Sequence, residues 1–193
     1  IVNVETLSYA SNFDIRDAAH LKRSLAAFSR GDAGSAALIT PAKGNEGIHY
    51  QKFMTSGQHW ELCTIRGGGS MYPHDVSKNY FEGKTVDLKD AILSESSDFL
   101  QSCFAESGWK VEDIDHLITH QVTSHTFRIV SESLGIPLDK CISTFPRFGN
   151  TAAASIPLAI DCARQRKHLK PGDQLAVIGL AAGISASVQL IRW

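Results

Sequence analysis

The stretch Phe148-Gly149-Asn150-Thr151-Ala152-Ala153-Ala154-Ser155-Ile156-Pro157 constrains the fold of this chain most. From Thr151 to Ser155 every side chain is small, so the helix it opens can pack backbone-close against a neighbouring layer. Gly149 lets the chain turn and Asn150 suits the start of a helix. The pattern reads as a strand at Cys141 to Ser143 followed by a helix running to about Arg166. Helix openings carry unpaired N–H groups and partial positive charge, and they suit anionic ligands and oxyanions. An earlier stretch, Thr119-His120-Gln121, sits in an equivalent setting, after a strand and before a helix.

Helices and strands alternate around these two stretches. Ile1 to Glu5 reads as a buried strand, and a helix capped by Asn12 or Asp14 extends to about Ser29. A turn at Arg30 to Gly34 leads into a strand over Ser35 to Thr40. Ile48 to Phe53 and Trp60 to Ile65 form antiparallel strands, and Gly67 to Lys84 is a long irregular segment of the kind that often carries function. Leu88, Ala91, Ile92, Phe99, Leu100 and Cys103 share one face of a helix that Gly108 ends. A strand at His116 to His120 precedes a helix from Ser124 to Leu134, stopped by Gly135 and Pro137. Gln174 to Leu180 is an apolar strand, Ala181-Ala182-Gly183 a tight turn, and Ser185 to Arg192 a last strand forming an antiparallel edge. Continuous apolar strands between helices imply α/β layers around a mostly parallel mixed sheet.

Composition narrows the function classes. A hydrophobic share of 43% supports a real core, and a net charge of −1 gives no hint of a nucleic-acid or lipid surface. No apolar run reaches membrane-spanning length, so no membrane partner is expected. Cys63, Cys103, Cys141 and Cys162 show no C-x-x-C spacing and read as buried free thiols of a reducing, cytoplasmic compartment. No signal peptide is visible, and the chain opens Ile1-Val2-Asn3-Val4-Glu5 without Met, inside a strand. That start is expected of a piece of a longer protein or one part of a split one.

The chemistry follows from placement. In open α/β sheets ligands bind where strands run out into helix openings. A neutral imidazole at His120 and the carboxamide of Asn150 can each donate one hydrogen bond to a single carbonyl oxygen, forming an oxyanion hole for an enolate or thioester. Gly179-Leu180-Ala181-Ala182-Gly183 lets backbone N–H groups approach a second oxyanion. A helix cap at Asn150, a satisfied structural imidazole at His120 and a plain turn at Gly183 are the alternatives open at this point. His116 and His120 share a strand face, but no H-E-x-x-H and no carboxylate at ligand spacing occurs, so no metal is expected; a phosphate-cradling Gly-Lys-Ser/Thr loop and a G-x-S-x-G elbow are absent too. The cysteines sit in apolar or helical pattern, unlike reactive thiols.

Taken together, His120-Gln121, Gly149-Asn150-Thr151-x-x-Ala154-Ser155-x-Pro157 and the Gly-rich turn before Leu190-Ile191-Arg192-Trp193 resemble the C-terminal half of β-ketoacyl-acyl-carrier-protein synthase III, in the thiolase superfamily. Gly31-Asp32-Ala33-Gly34-Ser35-Ala36 resembles that family's Gly-Asp-Gly-Ala-Gly-Ala strand at the end of its first half, and Val4-Glu5-Thr6-Leu7-Ser8 the strand and loop before it. The resemblance implies a thiolase-like layered α-β-α-β-α fold. Residues 1–45 would be the end of the N-terminal half and residues 46–193 the C-terminal half.

The implied activity is an acyltransferase performing a Claisen condensation of acyl thioesters in fatty-acid or polyketide-type biosynthesis. A Cys takes an acyl group, while His120 and Asn150 stabilise the carbanion equivalent of a second thioester, often made by decarboxylating malonyl. The Ala182 N–H takes the acyl oxyanion position, and Gln121, Thr123, Phe148 and Gly183 fall at substrate-binding positions. No cofactor is implied beyond the coenzyme A or acyl-carrier-protein phosphopantetheine thioesters that serve as substrates. The nucleophilic Cys would lie on the missing N-terminal half, in the same or a separate chain. A homodimer or heterodimer through the strand at Ser35 to Leu38 is implied as well.

Two departures stand out, the first being that the turn Gly179-Leu180-Ala181-Ala182-Gly183 is less Gly-rich than is usual in the family. The family often reads His-Gln-Ala-Asn followed by Arg where this chain has His120-Gln121-Val122-Thr123-Ser124-His125, so an Arg for the phosphates of coenzyme A is not evident. His-Gln-Val is also similar to olefin-pathway relatives that join two acyl thioesters without decarboxylation. A non-catalytic acyl-binding or partner subunit of a heteromeric synthase is the remaining alternative.

Overall fold

The computed structural model describes residues 1–193. In chain order the elements are β1 (Val2–Thr6), α1 (Ala18–Ser24), β2 (Asp32–Ala36), β3 (Gly47–Thr55), β4 (Cys63–Thr64), β5 (Glu82–Gly83), α2 (Thr85–Ser107), β6 (His116–Thr119), α3 (Thr126–Leu134), α4 (Phe145–Phe148), α5 (Ser155–Gln165), β7 (Gln174–Ala181) and β8 (Ser185–Arg192). Short 3-10 turns fill several gaps, including Ala152–Ala154 just before α5.

A four-stranded sheet in the order β3-β8-β7-β6 forms the centre. Its strands β7 and β8 alternate or run apolar, as a sheet covered on both faces requires. On one face α2 and α3 enclose a core of Leu100, Cys103, Ile114, Val130, Ile178 and Leu190, among others. On the other face α5 lays Ala159 and Ala163 over Ile118, Leu175 and Val177. Alanines at those positions bring α5 close to the strands. Beyond α5 lies the antiparallel β1–β2 pair, a wide hairpin that encloses α1, whose strands touch the Ala152–Ala154 turn. The order is therefore helix, sheet, helix, sheet, four of the five layers expected. No helix of the chain is long and apolar enough to cross a membrane.

Several expectations need correction. The sheet is mixed, but only β6 and β7 pair in parallel, while β7–β8 and β3–β8 are antiparallel. The parallel share is small because β7 returns through a tight turn into β8, and β3 caps β8. The final strand is consequently interior, and β3 and β6 are the edges. Cys141 to Ser143 is no strand; it contributes one parallel bridge from Cys141 to Leu117. Trp60 to Ile65 is mostly a 3-10 turn, with only Cys63–Thr64 extended, and it pairs with β5 instead of β3. The first helix is shorter than expected: Asp17 caps it by accepting from the His20 N–H, and a 3-10 turn at Leu25–Ser29 completes the span. The second strand ends at Ala36, short of Thr40. Of the cysteines only Cys103 is buried; the other three are half-buried.

The clearest reversal concerns β1. Val2 and Val4 are 74% and 75% exposed, while Asn3 and Glu5 face inward. Side chains alternate along a strand, so one choice of register decides both faces. Here the Glu5 carboxylate accepts from the Ala153 N–H at 3.3 Å and the Asn3 amide donates to Ser35 Oγ at 3.5 Å. Seating Glu5 on the small-residue turn and Asn3 against β2 leaves the valines facing outward.

Candidate active site

The parallel pair β6–β7 places its C-terminal ends together, where the His120 N–H donates to the Ile178 carbonyl at 3.0 Å. The residue after β6 is thereby fixed in backbone before its side chain is considered. The His120 ring turns toward α5, with Nδ1 2.6 Å from Ser155 Oγ. Burial pushes the His120 pKa down to about 4, with the Ala152 backbone acting in the opposite sense. The imidazole is therefore neutral at physiological pH, the form that can donate one hydrogen bond without carrying charge.

That depressed pKa carries a stability signature. The folded chain resists protonation at His120, whereas the unfolded chain accepts a proton near its ordinary value. The contribution is complete above about pH 6.5 and is lost as pH falls through that value toward about 4. Denaturant titrations at about pH 7 and about pH 4.5 should show wild type losing on the order of 2 kcal/mol more than His120→Gln over this window. Equal losses in the two proteins would contradict the burial of a neutral ring.

Asn150 is positioned by the hairpin side of the molecule. Its N–H donates to the Ser29 carbonyl at 2.8 Å, its carbonyl accepts from the Gly31 N–H at 2.9 Å, and a parallel bridge pairs it with Arg30. The expected strand–Asn–helix order is replaced by the four-residue α4, Gly149, Asn150 and a 3-10 turn. Asn150 Oδ1 accepts from the Ala152 N–H at 3.0 Å, a local turn in place of a full helix cap. This bond fixes the amide orientation, and Nδ2 makes no hydrogen bond within the chain. Ala152 sits at φ 41°, in the left-handed region that favours glycine. Non-glycine residues held there mark strained backbone of the kind found at functional sites.

A cavity of about 470 Å³ collects His120, Asn150, Thr123, Ala181 and Ala182 on one side and apolar residues of α2 and α3 on the other. A second cavity of about 510 Å³ lies against β3 and β8, and His120, Ala152 and Ser155 face it. His120 thus borders both spaces. Thr123 lines the first and braces the loop before α3, its hydroxyl 3.1 Å from that of Thr126. Along the chain His120 does not lead directly into a helix, since α3 opens only at Thr126.

Three expected substrate contacts fall elsewhere. Gln121 is fully buried: its amide donates to the Ile142 carbonyl at 2.7 Å, and its Oε1 accepts from the Thr144 and Phe145 N–H groups at 2.9 Å each. These bonds satisfy a buried amide and tie the His120 loop to the segment that leads to Asn150, so Gln121 positions the site without lining it. Phe148 lies outside both cavities, its ring 4.8 Å from the Arg147 guanidinium carbon. Gly183 lies one residue beyond the cavity wall, which ends at Ala182. Conversely, Ser155 and Arg30 were not singled out by sequence. Ser155 reads there only as part of a small-residue run, and Arg30 only as a turn residue.

Comparisons with known proteins bear on the fold and the family. Residues 104–193 match the family described as 3-Oxoacyl-[acyl-carrier-protein (ACP)] synthase III C terminal. Beta-ketoacyl-[acyl-carrier-protein] synthase III 3 of Streptomyces coelicolor is 32% identical over 146 residues, covering 72% of this chain and 43% of the relative. The corresponding Clostridium perfringens synthase III is 28% identical across 100% of this chain and 58% of its own length. The chain thus spans about half the length of the curated relatives it matches. Among solved structures, 3-oxoacyl-(acyl carrier protein) synthase III of Pseudomonas aeruginosa superposes with a TM-score of 0.81 at 23% identity, over 100% of this chain and 56% of that one. A variant of Xanthomonas campestris OleA gives 0.72 at 22% identity, over 100% and 55%. The fold is therefore thiolase-like. Residues 104–193 match the C-terminal family of 3-oxoacyl-[acyl-carrier-protein] synthase III, and the chain as a whole is similar to synthase III relatives over about half of their length.

Proposed function

We propose that this chain supplies the donor-activating side of a condensing acyltransferase of the β-ketoacyl synthase III type. The observation that carries the reading is the pairing of a neutral His120 with an Asn150 whose Nδ2 is uncommitted, both facing one cavity. We assign Ser155 Oγ as the donor to Nδ1, the direction that leaves the ring proton on Nε2. Nε2–H and the Asn150 amide then donate to the carbonyl oxygen of a phosphopantetheine thioester, from coenzyme A or an acyl carrier protein. That oxygen gains negative charge as the carbon beside it becomes nucleophilic, so both donors are worth more at the transition state than in the ground state. The Ala182 N–H, on the same cavity wall, serves the oxyanion of the acyl group being transferred.

In this reading the acyl-bearing Cys comes from protein outside residues 1–193. The exposed valines of β1 and the 90% exposed Leu38 support a further layer over the hairpin. The outer edge of β2 is unpaired within this chain, which fits a dimer formed by strand pairing across a two-fold axis. The free cysteines suit a reducing cytoplasm.

The test uses the full-length protein. Mass spectrometry of the acyl-enzyme and chromatography of the condensation product read the two half-reactions separately. Acylation followed by carbon–carbon bond formation is expected; no acyl-enzyme with any acyl thioester would sink the reading. Ser155→Ala should lower condensation by about 3- to 10-fold, the value of one neutral hydrogen bond, and leave acylation unchanged. An unchanged condensation rate would remove Ser155 from the positioning of the imidazole.

A further inference from the structure

Arg30 is the one cation placed in the His120 cavity without an anion. Its side chain lines that cavity, and its guanidinium carbon stands 3.6 Å from the centre of the Phe81 ring. Nε and Nη1 are buried with no hydrogen-bond partner, and no carboxylate of this chain forms a salt bridge with it. The remaining lining is largely apolar, with Leu88, Ile92 and Leu100 of α2 among it. Removing a guanidinium from water costs free energy that stacking on one aromatic ring offsets only in part. The nearest thiol, Cys63, is itself pushed up by burial and is a poor counter-ion. Bridge-paired residues project to the same face, so Arg30 and Asn150 present their side chains to the same space.

We propose that Arg30 reads a carboxylate on the substrate, and specifically one at the far end of the acyl group that is transferred. This rests on the condensing function proposed above. A planar fork of N–H donors matches a carboxylate in two-point geometry. The carboxylate of a decarboxylating donor is the less suitable ligand. Pairing it with a guanidinium would stabilise the charge that must leave as carbon dioxide, favouring the ground state over the transition state. A distal carboxylate keeps its charge throughout the reaction, so its pairing with Arg30 adds binding without opposing the chemistry.

The experiment offers full-length protein an equimolar mixture of glutaryl-coenzyme A and pentanoyl-coenzyme A and reads both acyl-enzymes by intact mass. Wild type should load the glutaryl group. Arg30→Gln should shift the glutaryl-to-pentanoyl ratio by roughly 10- to 100-fold toward pentanoyl, the value of a charge-assisted pair. Arg30→Lys, which keeps the charge but loses the fork, should fall between, and it preserves the readout if the glutamine variant does not fold. A ratio unchanged in these variants, or both acyl-enzymes lost in parallel, overturns the assignment of Arg30. If wild type loads pentanoyl alone, the assignment fails while the condensing function stands. If wild type loads neither group, the assignment of Arg30 fails, and the condensing function falls only if no other acyl thioester gives an acyl-enzyme either.

Discussion

Full-length protein carrying His120→Ala should lose carbon–carbon bond formation by roughly 10²-fold or more, while formation of the acyl-enzyme changes far less. His120 is held from two sides, by its backbone N–H on the Ile178 carbonyl and by its ring Nδ1 against Ser155 Oγ, so the ring is oriented before substrate arrives. A donor fixed in advance needs no reorganisation when charge develops, and its loss is felt mainly in the transition state. Asn150 should show the same loss, but alanine is the wrong probe for it. Asn150 Oδ1 also accepts from the Ala152 N–H, so Asn150→Ala removes a turn bond worth about 1 kcal/mol along with the donor. Asn150→Asp keeps the acceptor for the Ala152 N–H while it replaces the N–H donor with a charged oxygen that repels a developing oxyanion. It should retain the wild-type melting temperature within a few degrees yet fall in condensation by roughly the same 10²-fold. If the aspartate variant condenses normally, Asn150 is a turn residue and nothing more.

How much of this was legible in the sequence differs from residue to residue. The central sheet and α2, α3 and α5 follow from local pattern: helical spacing from Leu88 to Cys103, Gly108 and Gly135 as stops, and apolar runs at β6 and β7. His120, Asn150 and Ala182 were legible because each sits at a local transition, a strand end or a turn, and all three line one cavity. What depends on partners distant in sequence was not legible. Val2 and Val4 look like core, and only the seat of Glu5 on Ala153 turns them outward. Gln121 looks like a ligand contact, and only the return of Ile142 to Phe145 past it buries its amide. Cys141 to Ser143 looks like a strand, yet it finds only one bridging partner at Leu117. Arg30 carries no local signal at all. Its significance arises from Phe81 and the cavity, which meet it through tertiary packing.

Gly149→Ala should be among the most damaging single substitutions in the chain. Gly149 adopts φ 69° and ψ −159°, a region that only glycine enters without strain. Strain alone would cost on the order of 1–3 kcal/mol. Here a Cβ would also lie 2.5 Å from the Ser29 carbonyl oxygen, which already accepts from the Asn150 N–H. That oxygen belongs to backbone and cannot swing aside as a side chain would. Relief requires separating the Ser29–Gly31 segment from Asn150, which breaks the bridge that holds the carboxamide over the cavity. We expect a loss of roughly 3–5 kcal/mol in urea unfolding, combining the strain with the lost hydrogen bonds. Gly135→Ala provides the control. Gly135 also lies at positive φ, 71°, but nothing stands within 4 Å of its added Cβ. Its cost should stay near 1–2 kcal/mol, the price of the left-handed conformation alone. In protein that still folds, Gly149→Ala should also lower condensation more than acylation, because it displaces Asn150 and leaves Ala182 in place. Equal stability losses at the two glycines would mean that the close approach to Ser29 is dispensable. The hairpin would then not be what positions Asn150.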